Sequence, residues 1–255
     1  MNIAIREHAT GGAACRVRLS RHPRDMVAAQ RLRHLCFHEA AGLPAQPGWL
    51  DRDEFDADCL HLLVEDGGGR LLACCRILPL AGGAELARSY SARRYDLAPL
   101  VGIDMPLAEV GRFCLRPGAA PGDALRLAWA ALAQFVEAQG IGMLFGCSSF
   151  TGADPLRHAG ALAWLARHHL GPEARLPGLH AGVETCRFAQ ISDGEGDPAA
   201  LPPLLRSYLA MGGWVGDHAV IDHDLDTIHV FTALPVRNIP SARLRRLREL
   251  ARELA

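Results

Sequence analysis

The spacing of apolar and polar positions changes period several times along the chain, and each change predicts an element. From Pro23, the residues Ala28, Leu32, Leu35 and Cys36 recur at helical spacing, Pro23 and Asp25 suit a first turn, and Gly42-Leu-Pro44 closes the segment. Residues 60–65 and 70–79 are apolar runs on either side of Asp66-Gly67-Gly68-Gly69, the pattern of a β-hairpin. Residues 91–100 read as a short helix and 107–115 as a strand. Over 123–138 the positions Leu125, Ala128, Trp129, Leu132, Phe135 and Val136 make one apolar stripe, which Gly140 ends. Residues 141–147 are apolar throughout, which predicts a central strand. Asp154-Pro155 opens a helix to about His168. A Gly-, Pro- and Asp-rich stretch over 171–200 holds one strand near 185–189. A helix over 202–211, strands over 215–221 and 227–235, and a terminal helix over 241–254 follow. Residues 1–20 carry Gly11-Gly12 and little periodicity, so they read as a loose lead-in or an edge strand. The interleaving predicts one α/β domain over 1–255, with a mixed, mostly antiparallel central sheet and helices on both faces.

Composition narrows this picture. With 255 residues and 49% apolar content the chain can bury a large core, and no linker demands a second domain. A net charge of −1 argues against a general nucleic-acid coat. No run of eighteen apolar residues is present, and Met-Asn-Ile-Ala-Ile-Arg-Glu-His lacks the apolar segment of a secretory signal. Eight cysteines occur without a Cys-x-x-Cys pair, and adjacent Cys74 and Cys75 would face opposite sides of a strand. They read as buried thiols in a cytoplasmic protein.

Phe37, the acidic run Asp51-Arg-Asp-Glu-Phe-Asp56-Ala-Asp58, Arg76, and Glu109-x-x-Arg112, taken in this order, resemble the GNAT fold as used by acyl-homoserine-lactone synthases and their relatives. Gly146-Cys-Ser-Ser-Phe-Thr-Gly-Ala-Asp-Pro155, His168-His169, Leu201-Pro-Pro-Leu-Leu-Arg-Ser-Tyr-Leu-Ala-Met-Gly-Gly213 and Val215-Gly-Asp-His-Ala-Val-Ile-Asp-His-Asp-Leu-Asp-Thr-Ile-His-Val230 are similar to the L-ornithine Nα-acyltransferases of lyso-ornithine lipid synthesis. The resemblance spans roughly residues 25–240. It implies transfer of a 3-hydroxyacyl chain from acyl carrier protein, as co-substrate, to the α-amine of ornithine, with no metal and no redox cofactor. The GNAT pyrophosphate loop usually reads Arg/Gln-x-x-Gly-x-Gly/Ala. Here Arg116-Pro-Gly-Ala-Ala-Pro-Gly122-Asp123-Ala124 lacks the arginine or glutamine at that spacing, a weaker anion site that a carrier arm with one phosphodiester tolerates. The rival readings are an acyl-homoserine-lactone or other N-acyl amino acid synthase, and a non-catalytic module that binds lipid or carrier.

Candidate roles follow from charge on strand-like runs, because buried charge is costly unless paired or used. Glu109 is expected to take the proton that an α-amine must lose; the alternative is a structural carboxylate paired with Arg112. Residues i and i+3 of a strand face opposite sides, so these two share a site only across a kink, and Gly111 is the expected bulge residue. Arg76 would clamp the ornithine carboxylate or pair with the acidic run. Asp56 and Asp58, expected to share one face of an extended segment, would receive the side-chain ammonium or simply be solvated. Cys147 and Ser148 are expected to end the central strand, with Ser148 or Ser149 bonding substrate. Among Asp217, His218, Asp222, His223, Asp224 and Asp226, alternation along a strand disfavours convergence on one metal ion, and Asp222 is the substrate candidate. The terminal helix carries five arginines against two glutamates. Its Arg245, Arg246 and Arg248 would dock an acidic carrier or the inner face of a membrane, unless the helix merely packs on the domain.

Overall fold

The computed structural model describes residues 3–10, 13–119, 121–191 and 194–253. In chain order the elements are β1 (Ile3–Thr10), β2 (Ala13–Ser20), α1 (Pro23–His34), β3 (Leu60–Asp66), β4 (Leu71–Leu80), β5 (Tyr95–Asp96), β6 (Leu107–Leu115), α2 (Pro121–Ala138), β7 (Met143–Thr151), α3 (Ala159–His168), β8 (Gly178–Leu179), β9 (Thr185–Arg187), α4 (Phe188–Ile191), α5 (Pro203–Ala210), β10 (Trp214–Asp222), β11 (Thr227–Pro235) and α6 (Ser241–Glu253). The pairs β1–β2, β2–β3, β3–β4, β7–β11, β10–β11 and β9–β10 are antiparallel, whereas β6 and β7 run parallel over Leu107–Glu109 and Met143–Phe145. This is the mixed, mostly antiparallel α/β architecture that the sequence predicts. The edge-strand reading of residues 1–20 holds for 3–10 and 13–20; Gly11 and Gly12 lie outside the described residues.

The chain divides into two compact units, the first made of residues 1–79, 110–140 and 241–255, the second of 80–109 and 141–240. In the first, strands run in the order β1-β2-β3-β4-β6. The expected turn of the β3–β4 hairpin is present: Gly68 and Arg70 backbone N–H groups donate to the Asp66 side chain, and Gly69 takes φ +79°. His22 caps α1 by accepting from Arg24 N, and Pro23 occupies the first helical position. The helix continues through a π-helical turn, Leu35–Glu39, that carries Phe37. Ala29 and Leu32 of α1 pack on Leu63, Leu71, Cys74 and Cys114. Helix α2 ends at Gly140 with φ +61° as its stripe predicts, and it packs against α6. Leu244, Leu247 and Leu250 of α6 are half-buried while its arginines stay exposed. Leu254 lies outside the described residues.

In the second unit the order is β6-β7-β11-β10-β9, with β6 entering through residues 107–109. Strand β7 is flanked by β6 and β11, the central position its apolar run predicts. One face packs Phe150, Val215, Ala219, Ile228 and Val230 on α3 and α5 through Leu162, Leu165, Leu205 and Leu209. Alternation turns His229 and Phe231 to the other face, where the Tyr95 ring meets both at 5.6 and 5.7 Å.

Four expectations need correction. Residues 91–100 are not one helix but two short 3₁₀ turns around β5, because Tyr95 turns inward, fully buried, and bonds the backbone and ring of His229. Cys147 and Ser148 do not end their strand, which pairs with β11 as far as Thr151. The left-handed residue of β6 is Arg112, at φ +53°, not Gly111. Finally, residues 54–58 form turns, so Asp56 is buried while Asp58 is exposed, and the two do not share a face.

Candidate active site

In the second unit, strand β6 carries Glu109 inward, and the side chain is 5% exposed. Its carboxylate accepts from Tyr90 N at 2.9 Å, Ser91 N at 2.7 Å and Ser91 Oγ at 2.6 Å. Charge-assisted bonds from backbone N–H groups are the strong kind, so the acid and the 3₁₀ turn Ser91–Arg93 fix each other. Ser91 Oγ also lies 3.6 Å from Cys147 Sγ, and Cys147 is half-buried on β7. The polar row continues away from Glu109. Arg94 Nε donates to the Tyr90 hydroxyl at 3.1 Å and stacks its guanidinium over that ring, with Asp222 Oδ2 3.8 Å away. Asp222 is 5% exposed and accepts Leu225 N in the turn after β10. His218, fully buried, bonds Asp217 through Nδ1, and Asp217 also pairs with Arg187. His223 pairs instead with Glu184. Ser148, buried, accepts from the Thr232 hydroxyl at 2.9 Å, while Ser149 is exposed.

In the first unit the acidic run folds over a buried guanidinium. Arg33, on α1, is 1% exposed and bonds Asp51 and both oxygens of Asp56. Gln30 donates to Asp56 at 2.9 Å. Arg76 is 3% exposed, reaches Asp53 and Asp56, and stacks over Phe55. Arg76 thus makes the pair with the acidic run that one of its two expected roles describes. Burial works against ionisation of Asp53 and Asp56, but the cations beside them prevail and hold both carboxyls below the usual range. Arg112 leans over the Phe37 ring and faces Asp51 and Asp53 at 3.7 and 3.5 Å. A left-handed conformation costs a residue with a Cβ about 1–2 kcal/mol, so these contacts hold Arg112 against a local strain.

The expected anion loop is described except for residue 120: Gly122 and Asp123 are exposed in the first turn of α2, and Ala124 is buried. Arg245 and Arg246 are exposed on α6, and Arg248 pairs with Glu137 of α2. Sequence reasoning passed over Ser91, Tyr90, Arg94 and Arg33. Arg33 had a signal, since it stands one position from Leu32 on a helix whose inward positions include Gln30 and His34. Ser91 had none, because its role depends on a loop that no periodicity marks.

The protein-family model described as an acetyltransferase (GNAT) domain matches residues 32–130. The L-ornithine Nα-acyltransferase of Rhodobacter capsulatus is 36% identical over 225 residues, covering 84% of this chain and 87% of the relative. That of Brucella abortus is 30% identical over 241 residues, covering 88% and 85%. Among solved structures, the acyl-homoserine-lactone synthase LasI is 16% identical with a TM-score of 0.43, covering 88% of this chain and 91% of LasI. Identity of 30% or more to the Rhodobacter and Brucella enzymes, over more than four fifths of each chain, decides the family: the chain belongs to the L-ornithine Nα-acyltransferases.

Proposed function

We propose that the protein transfers a 3-hydroxyacyl group from acyl carrier protein to the α-amine of L-ornithine, giving lyso-ornithine lipid. The acceptor follows from the names of the relatives, and the observation that supports the chemistry is the buried carboxylate of Glu109, held by Tyr90 and Ser91. An α-ammonium ion cannot attack a thioester until it loses a proton, and Glu109 is the acceptor assigned here. The amine nitrogen then bonds the acyl carbon, the carbon–sulfur bond breaks, and the carrier's thiol leaves with a proton.

Other assignments follow the same reading. The exposed first turn of α2, at Gly122, Asp123 and Ala124, takes the single phosphodiester of the carrier arm, where a helix N-terminus favours an anion and Asp123 keeps the site weak. The exposed arginines of α6 receive the acidic carrier. Arg112 and Arg76 act by fixing residues 51–58, and Asp56 belongs to that internal network rather than to substrate. In the second unit, Ser149, which is exposed, and Asp222 with Arg94 are the side chains left to meet the amino acid. No helix among the described residues is long and apolar enough to cross a membrane, and the reaction is assigned to the cytoplasmic side, next to the inner membrane.

The test is incubation with 3-hydroxyacyl carrier protein and a panel of amines, read by product mass. An N-acyl ornithine as the main product supports the reading. Acylation of S-adenosylmethionine instead, or no product from any amine while carrier still binds, overturns it in favour of a signal synthase or a binding module.

A further inference from the structure

Glu109 is held in part from the loop that carries Tyr90 and Ser91. Ser91 gives it two bonds, one from the backbone and one from the hydroxyl, and Ser91 is itself fully buried. A serine hydroxyl owns one proton. With a carboxylate oxygen 2.6 Å away, that proton points to Glu109, since an ionised carboxylate can only accept. The hydroxyl oxygen is then left as an acceptor towards Cys147, 3.6 Å off, so the thiol donates to Ser91. The three groups form a directed chain, thiol to hydroxyl to carboxylate. Two consequences follow from elementary chemistry. The hydroxyl stabilises the charged form of Glu109 and so lowers the affinity of that carboxylate for a proton. It also gives Oε1 a second donor, beside the backbone N–H groups of Tyr90 and Ser91 that hold the two oxygens.

We infer that Ser91 is a positioning residue for the transfer reaction: through its hydroxyl it orients Glu109 and sets the pH at which Glu109 can take the proton of the amine, with the Cys147 thiol completing the chain. The inference rests on the proposed role of Glu109. Nothing in it requires Ser91 or Cys147 to touch substrate, and no acyl group passes through the thiol.

The experiment compares pH profiles of kcat/KM for ornithine in the parent, Ser91→Ala, Ser91→Thr, Cys147→Ala and Glu109→Gln. Loss of the hydroxyl removes one hydrogen bond from the carboxylate, so the acid limb of Ser91→Ala should move up by about one pH unit. Ser91→Thr, which keeps the hydroxyl, should return the limb to its parental place. Cys147→Ala should move the limb by less than Ser91→Ala. Combining Ser91→Ala with Glu109→Gln should cost almost nothing beyond Glu109→Gln alone, because a residue that acts only through Glu109 has nothing left to act on. A Ser91→Ala enzyme whose activity drops equally at every pH, with the limb unmoved, overturns the inference and leaves the role of Glu109 standing. So does additivity with Glu109→Gln. A Glu109→Gln enzyme as active as the parent overturns the role of Glu109 itself, and the inference with it.

Discussion

Two buried charges, Glu109 and Arg33, meet the same physical demand in different ways. Glu109 accepts hydrogen bonds from neutral donors on a loop, the backbone N–H groups of Tyr90 and Ser91 and the Ser91 hydroxyl. That arrangement suits a group that must attract and deprotonate an ammonium ion. Replacing Glu109 by Gln removes the acceptor and turns an amide N–H towards a backbone N–H. Turnover with carrier-borne substrate should fall by about 10²-fold or more, and activity equal to the parent would remove Glu109 from the chemistry. Arg33 is satisfied by two carboxylates, and burial, which opposes its charge, is overcome by Asp56 and Asp51. Its removal leaves two buried carboxylates short of a partner. Arg33→Met should therefore cost about 3–5 kcal/mol, measured by denaturant unfolding. A loss below about 1 kcal/mol would mean that the network relaxes into water.

At the scale of elements, β6 and α6 carry the testable content. Strand β6 changes course at Arg112, where the sequence offers a glycine one position earlier that is not used for the turn. Gly111 instead lies against the Arg76 side chain, with its missing Cβ 3.7 Å from Nε. A break in regular strand geometry here was legible, and the positive φ falls at Arg112. The position of that break was not legible, because a cation–π contact with Phe37 and two carboxylates stabilise a conformation that arginine alone disfavours. Helix α6 shows the opposite case. Its amphipathic pattern is plain in the sequence, and α2 covers its apolar side, so what remains for a partner is charge rather than hydrophobic surface. Arg245→Glu with Arg246→Glu should weaken carrier binding, most visibly at low salt, while Arg248→Glu alone breaks only an exposed pair worth at most about 1 kcal/mol. Titration of the double variant with carrier protein checks this, and an unchanged affinity would move the docking surface elsewhere.

For the molecule as a whole, the succession of elements and the family were readable because period-2 and period-3.6 patterns are local, and because the Glu109 and Val215–Val230 motifs are contiguous. The segment between β4 and β6 was not readable. Its Ser91, Tyr90 and Tyr95 gain their meaning from partners on β6, β7 and β11 that are far away in sequence. The acidic run was misread for a similar reason, since one buried arginine decides which of its carboxylates turn inward.

The buried titratable groups also set how the fold responds to acid. Burial holds His38 and His61 below the ordinary imidazole value, so the folded chain keeps them neutral while the unfolded chain takes up protons below about pH 6.5. Stability should begin to fall there as pH drops. The depressed carboxyls of Asp53 and Asp56 stabilise the fold above the unfolded value of about 3.9, and that contribution is lost as pH falls further, through their lowered folded values. Thermal melts from pH 7.5 to 3 should show the first stage and the onset of the second, and His61→Gln should shrink the first. A Tm unchanged from pH 7 to pH 5 would contradict the neutral-histidine account.

The most direct test of the whole account is the position of the new bond. With carrier-borne 3-hydroxyacyl donor and ornithine labelled with ¹⁵N only at the α-nitrogen, the account predicts a product whose amide nitrogen carries the label. An unlabelled amide, formed at the side-chain nitrogen, or an ester with no amide, would contradict it.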